Sequence, residues 1–589
     1  MLAFRGVAVA PHAPEASNVP TERPPRSFLV EVGTYLTPLY RVWEWLQTSH
    51  CGQYSVERLL TFDEYCQRVS RLRAVLVCLL TPLSAIITVV LTECVPLRPA
   101  SDGALKNYMF WARHAAMVTL ILLGAMKQAQ TWIPGVPLTR RRILGLSVGC
   151  AVAATLLDVV VAGCWVFPVP FLVVLGAPVL EIIVALAVML VVGRDELSAV
   201  RDGAFHFKRY VNLFSAQTSL MLIYPAYHAL FLVAPDMIQR LLLLLLPGVS
   251  LALKNVLVSF GSHLEDQLPE QVVFVVDVFD ALYTTLCMRT VNSYVVMGFL
   301  VLLHSVEMLL SLRSMHRRSR LVQSAPSVKS AKSLRTLVVE TVKLLQTPTN
   351  LDPLETGRIR LLSGMRHGIA DASAAILHSL ASHSVYQNDR LARSASITQL
   401  KARYASATLD EDSSLRMKRK SILQVLRDPI QVVPVVIEAG PQSNVEARRQ
   451  NTRTVNQTLH MLFNNEYLGL VAYVQCVIPV LYMVYIAILQ GLPNRVYYPG
   501  NRNVDDSRLL ADRMVVIGLL ALCHFLLLVV LHKFVAYRFS VSTLYQVAFV
   551  LETHALLVQP KLTAWLIFSV GFQLEHYGAD FSFKFSWIH

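Results

Sequence analysis

Ionisable residues inside apolar stretches are the side chains of this sequence that could do chemistry. Asp158 and Glu181 lie near the middle of two successive apolar runs. A charge inside a bilayer costs several kcal/mol unless it is paired or hydrated, so both carboxylates need a proton, a cation or a basic partner. Arg113 and Lys254 are the candidate partners. Two interpretations remain open: an ion or proton site, and a buried ion pair or protonated acid that fixes helix packing.

Two further pairs of ionisable residues have helical spacing. His304 and Glu307 are three positions apart in an apolar run and therefore share one face of a helix. Such a pair could relay protons or coordinate a metal, but it could also form a hydrogen bond between helices. Asp277 and Asp280 have the same spacing, and we expect both to face a polar interior. The candidate intramembrane polar site thus comprises Asp158, Glu181, Arg113, Lys254, His304, Glu307, Asp277 and Asp280.

The sequence lacks several common catalytic and cofactor-binding motifs of soluble enzymes. It contains no Walker-type phosphate loop, no G-x-G-x-x-G fingerprint after a strand, and no H-E-x-x-H helix of the metalloprotease type. The nine cysteines include no C-x-x-C pair, and most lie in apolar runs, where a free cysteine behaves as a small hydrophobe. We therefore predict no catalytic residue, no metal site and no cofactor.

The elements that must position these residues are membrane-spanning helices. Of the 589 residues, 54% are hydrophobic and 16% are charged, whereas soluble globular proteins carry about 25% charged residues. The deficit comes from repeated apolar runs of about 18 or more residues, a length that spans a bilayer as a helix. We predict an all-α polytopic integral membrane protein with about 10–11 transmembrane helices in two bundles.

Two of the predicted spans leave alternatives open. The seventh is short and carries two aspartates, so it could also lie on the surface. The last is interrupted at Gln559-Pro560-Lys561 and is either one kinked span or a re-entrant pair, and the sixth is interrupted at Pro247-Gly248. The runs are Ala74–Thr92, Tyr108–Met126, Ile143–Val166, Pro170–Val192, Val211–Val233, Leu241–Phe260, Val272–Met288, Ser293–Leu312, Tyr467–Leu489, Met514–Leu531 and Val541–Gln573.

A long basic segment divides these spans into two groups. We predict a cytoplasmic N-terminal tail at residues 1–73 and a first group of about eight spans at 74–312. A basic cytoplasmic loop or subdomain follows at 313–466, and two or three further spans occupy 467–589. Within the tail, Ser27–Gln47 is rich in aromatic residues and could form a helix in the headgroup layer.

The formal net charge of +14 fits basic loops that stay in the cytoplasm and are attracted to anionic lipid headgroups. Because so many runs are apolar, we expect no nucleic acid partner. If Val272–Met288 crosses the bilayer, the N-terminal tail and the basic loops share one side, which favours crossing. The Arg416–Lys420 cluster could bind anionic lipid or remain solvated. Ser333–Gln346 and Arg358–Ser384, also in the loop, have the apolar spacing of helices.

Three stretches together resemble a known family. They are VFDALYTTLCM (Val278–Met288), GLPNRVYY (Gly491–Tyr498) and FSFKFSW (Phe581–Trp587). With spans on both sides of a polar loop, the chain is similar to a large family of uncharacterised multi-pass membrane proteins from oomycetes. The similarity covers most of the chain from the second span onward. Since that family has no assigned activity, the resemblance implies the fold and no mechanism.

Three classes of function fit these observations. The first is a transporter or channel-like protein for an ion or small solute, which would explain the polar residues inside spans and the interrupted helices. The alternative is a non-transporting membrane scaffold or receptor whose basic loop binds partners or anionic lipid. A membrane-embedded enzyme is the third. A transporter should bring Asp158 and Glu181 to a water-lined cavity, whereas a scaffold should seal them in helix packing.

Overall fold

The computed structural model describes most of the chain from residue 52 onward. Met1–Gln47 and Thr48–His589 are two separate units, and of the first only Gln47 is described. The rest of the predicted headgroup helix and the Arg416–Lys420 cluster lie outside the described residues. The description covers residues 47, 52–133, 138–193, 203–261, 264–291, 293–323, 334–347, 350–352, 359–363, 368–382, 442–498, 507–580, 585, 587 and 588.

The described part of the chain is built from α-helices and their connecting turns. The helix Leu268–Val291 contains a π-helical turn, Val273–Asp277. The helices are α1 (Val56–Arg68), α2 (Arg71–Glu93), α3 (Tyr108–Trp132), α4 (Arg140–Cys164), α5 (Leu172–Val192), α6 (Gly203–Thr218), α7 (Leu220–Val233), α8 (Asp236–Gly261), α9 (Leu268–Val291), α10 (Tyr294–Gln323), α11 (Leu334–Gln346), α12 (Asp371–Ser382), α13 (Gln442–Gln490), α14 (Ser507–Phe539), α15 (Thr543–Thr553) and α16 (Ala555–Gly571).

Ten helical segments of the described chain are long and apolar enough to cross a membrane. They are α2, α3, α4, α5, the consecutive helices α6 and α7, α8, α9, α10, α13 and α14. α16 is also apolar but has only 17 residues. Large apolar side chains such as Leu79, Leu156 and Leu190 are exposed on the outer helices, where they contact lipid. The all-α polytopic fold is confirmed, and the chain is a multi-pass membrane protein.

Neither proline predicted to interrupt a span breaks its helix. Pro247 lies within the continuous α8, and Pro560 lies within α16. The final apolar region is instead divided at His554, between α15 and α16. Pro560 packs so closely against Gly124 of α3 that a β-carbon on that glycine would lie 2.6 Å from Pro560 Cβ. Close packing by neighbouring helices lets a membrane helix accommodate proline. The predicted interruptions at Pro247-Gly248 and Pro560 are therefore wrong.

α9 lies at the centre of the helical bundle. It packs against α7, α8, α13, α14 and α16, and its apolar stretch is 100% buried inside the protein. A helix enclosed in this way is covered by other helices on all sides, and its length and composition suit a span. That Val272–Met288 crosses the bilayer stays a prediction. The helices that follow the basic segment share this interior with those that precede it, although the two groups are separate in sequence. The side of the membrane that each loop occupies stays a prediction.

Parts of the predicted loop are helical. α10 continues past the predicted span end at Leu312 as far as Gln323, and α13 begins at Gln442, well before the predicted span start at Tyr467. Between them, α11 covers nearly all of the first loop stretch with helical spacing, and α12 covers part of the second. α10 and α13 therefore extend beyond the spans predicted from hydropathy, because charged and polar residues continue each helix outside its apolar run.

The N-terminal helix α1 packs against described segments of this loop. The backbone N–H of Val56 donates to the carbonyl of Arg360 at 2.9 Å, and that of Glu57 donates to the carbonyl of Leu361 at 2.9 Å. All residues of the first two turns of α1 are buried. Residues 56–68, which the sequence places in a tail, are thus an integral part of the folded unit.

Candidate functional site

Three carboxylates project from the enclosed helix α9. Glu270, Asp277 and Asp280 follow one another at intervals of about two turns and one turn. Their exposed fractions are 1%, 1% and 3%. The π-helical turn Val273–Asp277 lies between the first and the second carboxylate, and such turns are frequent at functional sites. A buried carboxylate is expensive unless it is paired or protonated, so the partners of these three residues define the site.

Asp277 and Asp280 face the neighbouring helices α8, α10 and α13. Lys254 Nζ lies 2.6 Å from Asp277 Oδ1, and Gln475 Nε2 donates to Asp280 Oδ2 at 3.2 Å. Within the described residues, Asp277 Oδ2 and Asp280 Oδ1 have no hydrogen-bond partner. The charge of Glu307 acts on Lys254 and on both aspartates. One ammonium group therefore faces three carboxyl groups in what we call the central site: Lys254, Asp277, Asp280, Glu307 and Gln475.

A histidine pair lies next to the central site. His304 and Glu307 are both on α10, as the sequence requires, but His304 pairs with a residue of another helix. Its Nδ1 lies 2.9 Å from Nε2 of His524 on α14. The charge of Lys254 also acts on His304. The pair and the central site are therefore electrostatic neighbours.

The third carboxylate of α9 belongs to a separate chain of buried ionic contacts. Glu270 Oε1 lies 2.8 Å from Lys561 Nζ, and its Oε2 lies 2.7 Å from His554 Nδ1. On the other side of the histidine ring, Nε2 is 3.4 Å from Arg58 Nη1. Arg58 Nη2 in turn donates to Glu466 Oε1 at 2.7 Å. We call this chain the outer network; it consists of Tyr54, Arg58, Glu270, Glu466, His554 and Lys561, with the Tyr54 hydroxyl donating to Glu466.

Arg58 on α1 and Tyr54 just before it have fixed protonation states. Burial alone lowers the pKa of the Arg58 guanidinium, but its interactions with Glu466, Tyr54 and Asp266 together more than offset burial, and the pKa is raised. Burial and the Glu466 carboxylate raise the pKa of the Tyr54 hydroxyl well above its ordinary value. Arg58 therefore stays cationic and Tyr54 stays neutral at physiological pH. The outer network joins α1 to α9, α13 and α16.

Arg113 and Asp158, predicted as possible partners, bind different residues. Arg113 Nη1 donates to Glu93 Oε2 at 3.1 Å, and the Tyr498 hydroxyl donates to Glu93 Oε1 at 2.6 Å. Asp158 Oδ2 instead lies 3.2 Å from Nε2 of His114, the residue after Arg113. Helical geometry turns adjacent residues about 100° apart, so Arg113 and its neighbour face different partners. The Arg113–Asp158 pairing is therefore wrong.

Glu181 has only hydroxyl partners among its described contacts. Ser215 Oγ donates to Glu181 Oε2 at 3.1 Å, and the Thr218 hydroxyl donates to the other carboxylate oxygen. Lys254, the other predicted partner, binds Asp277 instead. Asp158 and Glu181 thus lie on one helical hairpin but have separate partners, and the structure does not join them in one site.

Several residues of these clusters escaped sequence reasoning. Glu270 lies just before the predicted start of its span, and Gln475 carries no charge to mark it. His554 and Lys561 are seven residues apart, two helical turns, and this spacing could have indicated a shared face. Their common partner on α9, Glu270, could not have been found in this way, because it lies 291 residues before Lys561 in the sequence.

Enzyme-like features do not mark any of these clusters. Gly145–Gly149 has the G-x-S-x-G spacing of a serine nucleophile elbow, which requires a strand-to-helix turn. Here the segment lies inside α4 and Ser147 is buried. Among the described residues, no group of three or more His, Cys, Asp or Glu is placed to hold a metal ion.

Comparison with known proteins adds no functional assignment. No family model matches the chain, no curated protein matches it, and no solved structure matches it. The fold and the sites alone define the class: an all-α multi-pass membrane protein with an enclosed helix that carries charged residues.

Proposed function

We propose that this protein moves a cation across the membrane, as a transporter or channel, and that the central site binds that cation. The observation that carries the proposal is the charge imbalance of the site. Lys254 supplies one positive charge against Asp277, Asp280 and Glu307, and two of the aspartate oxygens lack partners among the described residues. Excess negative charge is costly in a medium of low dielectric constant. A proton or a bound cation at these oxygens would complete the site.

The location of the central site supports the same proposal. Its ionisable residues lie on α8, α9 and α10, each of which is long and apolar enough to span the membrane. Carboxylate oxygens are preferred ligands of hard cations. The helix that carries the two aspartates is shielded from lipid on all sides, as charged groups inside a membrane require.

The α4–α5 hairpin and the basic loop contribute less to this proposal. Asp158 and Glu181 have hydrogen-bonding partners of their own, and we propose no transport role for them. The scaffold alternative depends on the Arg416–Lys420 cluster, which lies outside the described residues. The resemblance to oomycete membrane proteins carries no activity, so the proposal rests on the central site alone.

Flux through liposomes tests the proposal. Purified full-length protein would be reconstituted, and Na⁺, K⁺ and H⁺ would each be used as the probe ion. Asp280→Asn removes a carboxylate charge and keeps an amide that can bond Gln475. We expect flux to fall at least about tenfold in this variant. Asp102→Asn, at an exposed position, is the matched control and should leave flux unchanged.

Two results would overturn the proposal. One is wild-type flux no greater than that of empty vesicles for all three probe ions. The other is an Asp280→Asn variant that folds, as judged by its thermal unfolding, and transports as fast as the wild type. Either would favour the scaffold alternative, in which the central site only fixes helix packing.

A further inference from the structure

The His304–His524 pair has a position that the proposed cation site does not explain. Both residues lie near the middle of helices that span the membrane, α10 and α14, and their ring nitrogens are 2.9 Å apart. The rings pack with their centroids 5.1 Å apart. Two apolar side chains would join these helices without the cost of desolvating imidazoles. Helix packing alone therefore does not explain why two histidines occupy these positions.

The hydrogen bond restricts how the pair can carry protons. One ring must donate and the other must accept. In either tautomer, one of the two ring nitrogens outside this hydrogen bond carries a proton and the other keeps its lone pair. One proton can add to that lone pair. A second proton would place two positive rings in contact, so the pair takes up one proton.

Charged groups on the surrounding helices couple this proton to the central site. Lys254 on α8 repels positive charge at His304, and Glu307 on α10 interacts with Lys254. On α9, Asp277 and Asp280 interact with Glu307, and on α13 Tyr467 interacts with Lys254. A cation bound at the central site would lie beside Lys254 and would repel a proton on the histidine pair in the same way.

We propose that His304 and His524 form a proton-binding site coupled to the central site, so that the protein exchanges protons for the transported cation. This inference rests on the proposed cation transport. Each bound positive charge lowers the affinity for the other, and thermodynamic linkage makes that effect reciprocal. Binding of a proton on one side of the membrane thus promotes release of the cation there.

Liposomes that contain a pH-sensitive dye test the coupling. With the wild type, we expect an imposed Na⁺ or K⁺ gradient to drive protons in the opposite direction. His304→Gln and His524→Gln, which keep hydrogen-bonding groups, should retain cation flux and lose proton movement. Their cation flux should also lose the dependence on pH that the wild type shows. Asp280→Asn should lose both movements, and Asp102→Asn should lose neither.

The outcomes separate this inference from the proposed function. Cation flux without a dye response in the wild type, or proton exchange that persists in both glutamine variants, overturns the inference and leaves cation transport standing. If the wild type moves neither Na⁺ nor K⁺, proton binding is measured directly by ¹⁵N spectra of histidine-labelled protein in lipid. A titrating signal that is absent from His304→Gln and moves to higher pH in Lys254→Gln supports the coupled site. Absence of such a signal overturns it.

Discussion

The enclosed helix α9 and the α4–α5 hairpin both carry carboxylates inside apolar helices, but their surroundings differ. The apolar stretch of α9 is 100% buried inside the protein, whereas for α5 the share is 11%. The carboxylates of α9 contact Lys254 and Lys561, while those of the hairpin contact a histidine and two hydroxyls. An acidic residue in an apolar run is thus an incomplete indication of a functional site. The enclosure of its helix by protein distinguishes the two cases.

Removal of a charged residue that pairs with a carboxylate of α9 should have the largest effect on stability. Lys561→Met leaves the buried Glu270 carboxylate without its ammonium partner, and breaking a buried pair in this way costs about 3–5 kcal/mol. We expect a clearly lower midpoint of thermal unfolding in detergent. Lys106→Met, at an exposed position, is the control. Equal midpoints for both variants would show that the outer network contributes little to stability.

A pair of glycine substitutions compares packing against α16, a neighbour of the enclosed helix, with packing on the hairpin. In Gly124→Ala the new methyl group would lie 2.6 Å from Pro560 Cβ, so α3 and α16 must move apart, at a cost of about 1–3 kcal/mol. Gly149→Ala on α4 meets no atom within 4 Å and should be neutral or slightly stabilising. Unfolding free energies of the two variants check the difference. A Gly149→Ala variant that is the less stable of the two would contradict it.

The pH dependence of stability should be visible at His576, whose ring packs 6.2 Å from the Phe167 ring in the turn of the hairpin. Burial lowers the pKa of His576 to about 4. The unfolded chain, with a pKa near 6.5, therefore binds more protons between about pH 6.5 and about pH 4, and stability falls as the pH falls through this window.

His576→Asn should remove this contribution, which is at most about 1.4 kcal/mol per pH unit. The measurement is the unfolding free energy of both proteins as a function of pH. We expect the two curves to converge towards about pH 4 and to run parallel above about pH 7. Identical slopes below about pH 6 would contradict the assignment.

The smallest effects are expected in the hairpin itself. Glu181→Gln keeps groups that can bond Ser215 and Thr218, and Asp158→Asn keeps a group that can bond His114. We expect each variant to lose less than about 1 kcal/mol of stability. Unfolding in detergent measures this loss. A loss as large as that in Lys561→Met would remove the distinction between the hairpin and the enclosed helix.

The sequence predicts the helices of this protein better than their partners. Hydropathy locates all ten helical segments of the described chain that could cross a membrane, because spanning helices are predominantly apolar. It also proposes breaks at Pro247 and Pro560 that do not occur, since proline in a membrane helix can be accommodated by its neighbours. The true break at His554 has no local signal of this kind.

Partner choice within the candidate site could be predicted only in part. Asp277 and Asp280 were expected to face a polar interior, and the i,i+3 spacing was sufficient for that. The choice of Lys254 for Asp277, and of Glu93 for Arg113, depends on how distant helices are arranged. Periodicity gives the face of a helix that is polar, but it contains no information about the helix that lies opposite.

Cation flux into liposomes gives the most direct test of the account. Asp280→Asn and Asp158→Asn make the same chemical change, one in the central site and the other on the hairpin. Measured side by side under a Na⁺ or K⁺ gradient, Asp280→Asn should lose nearly all of the wild-type flux, and Asp158→Asn should keep at least about half of it. Loss of flux in Asp158→Asn together with normal flux in Asp280→Asn would contradict the account.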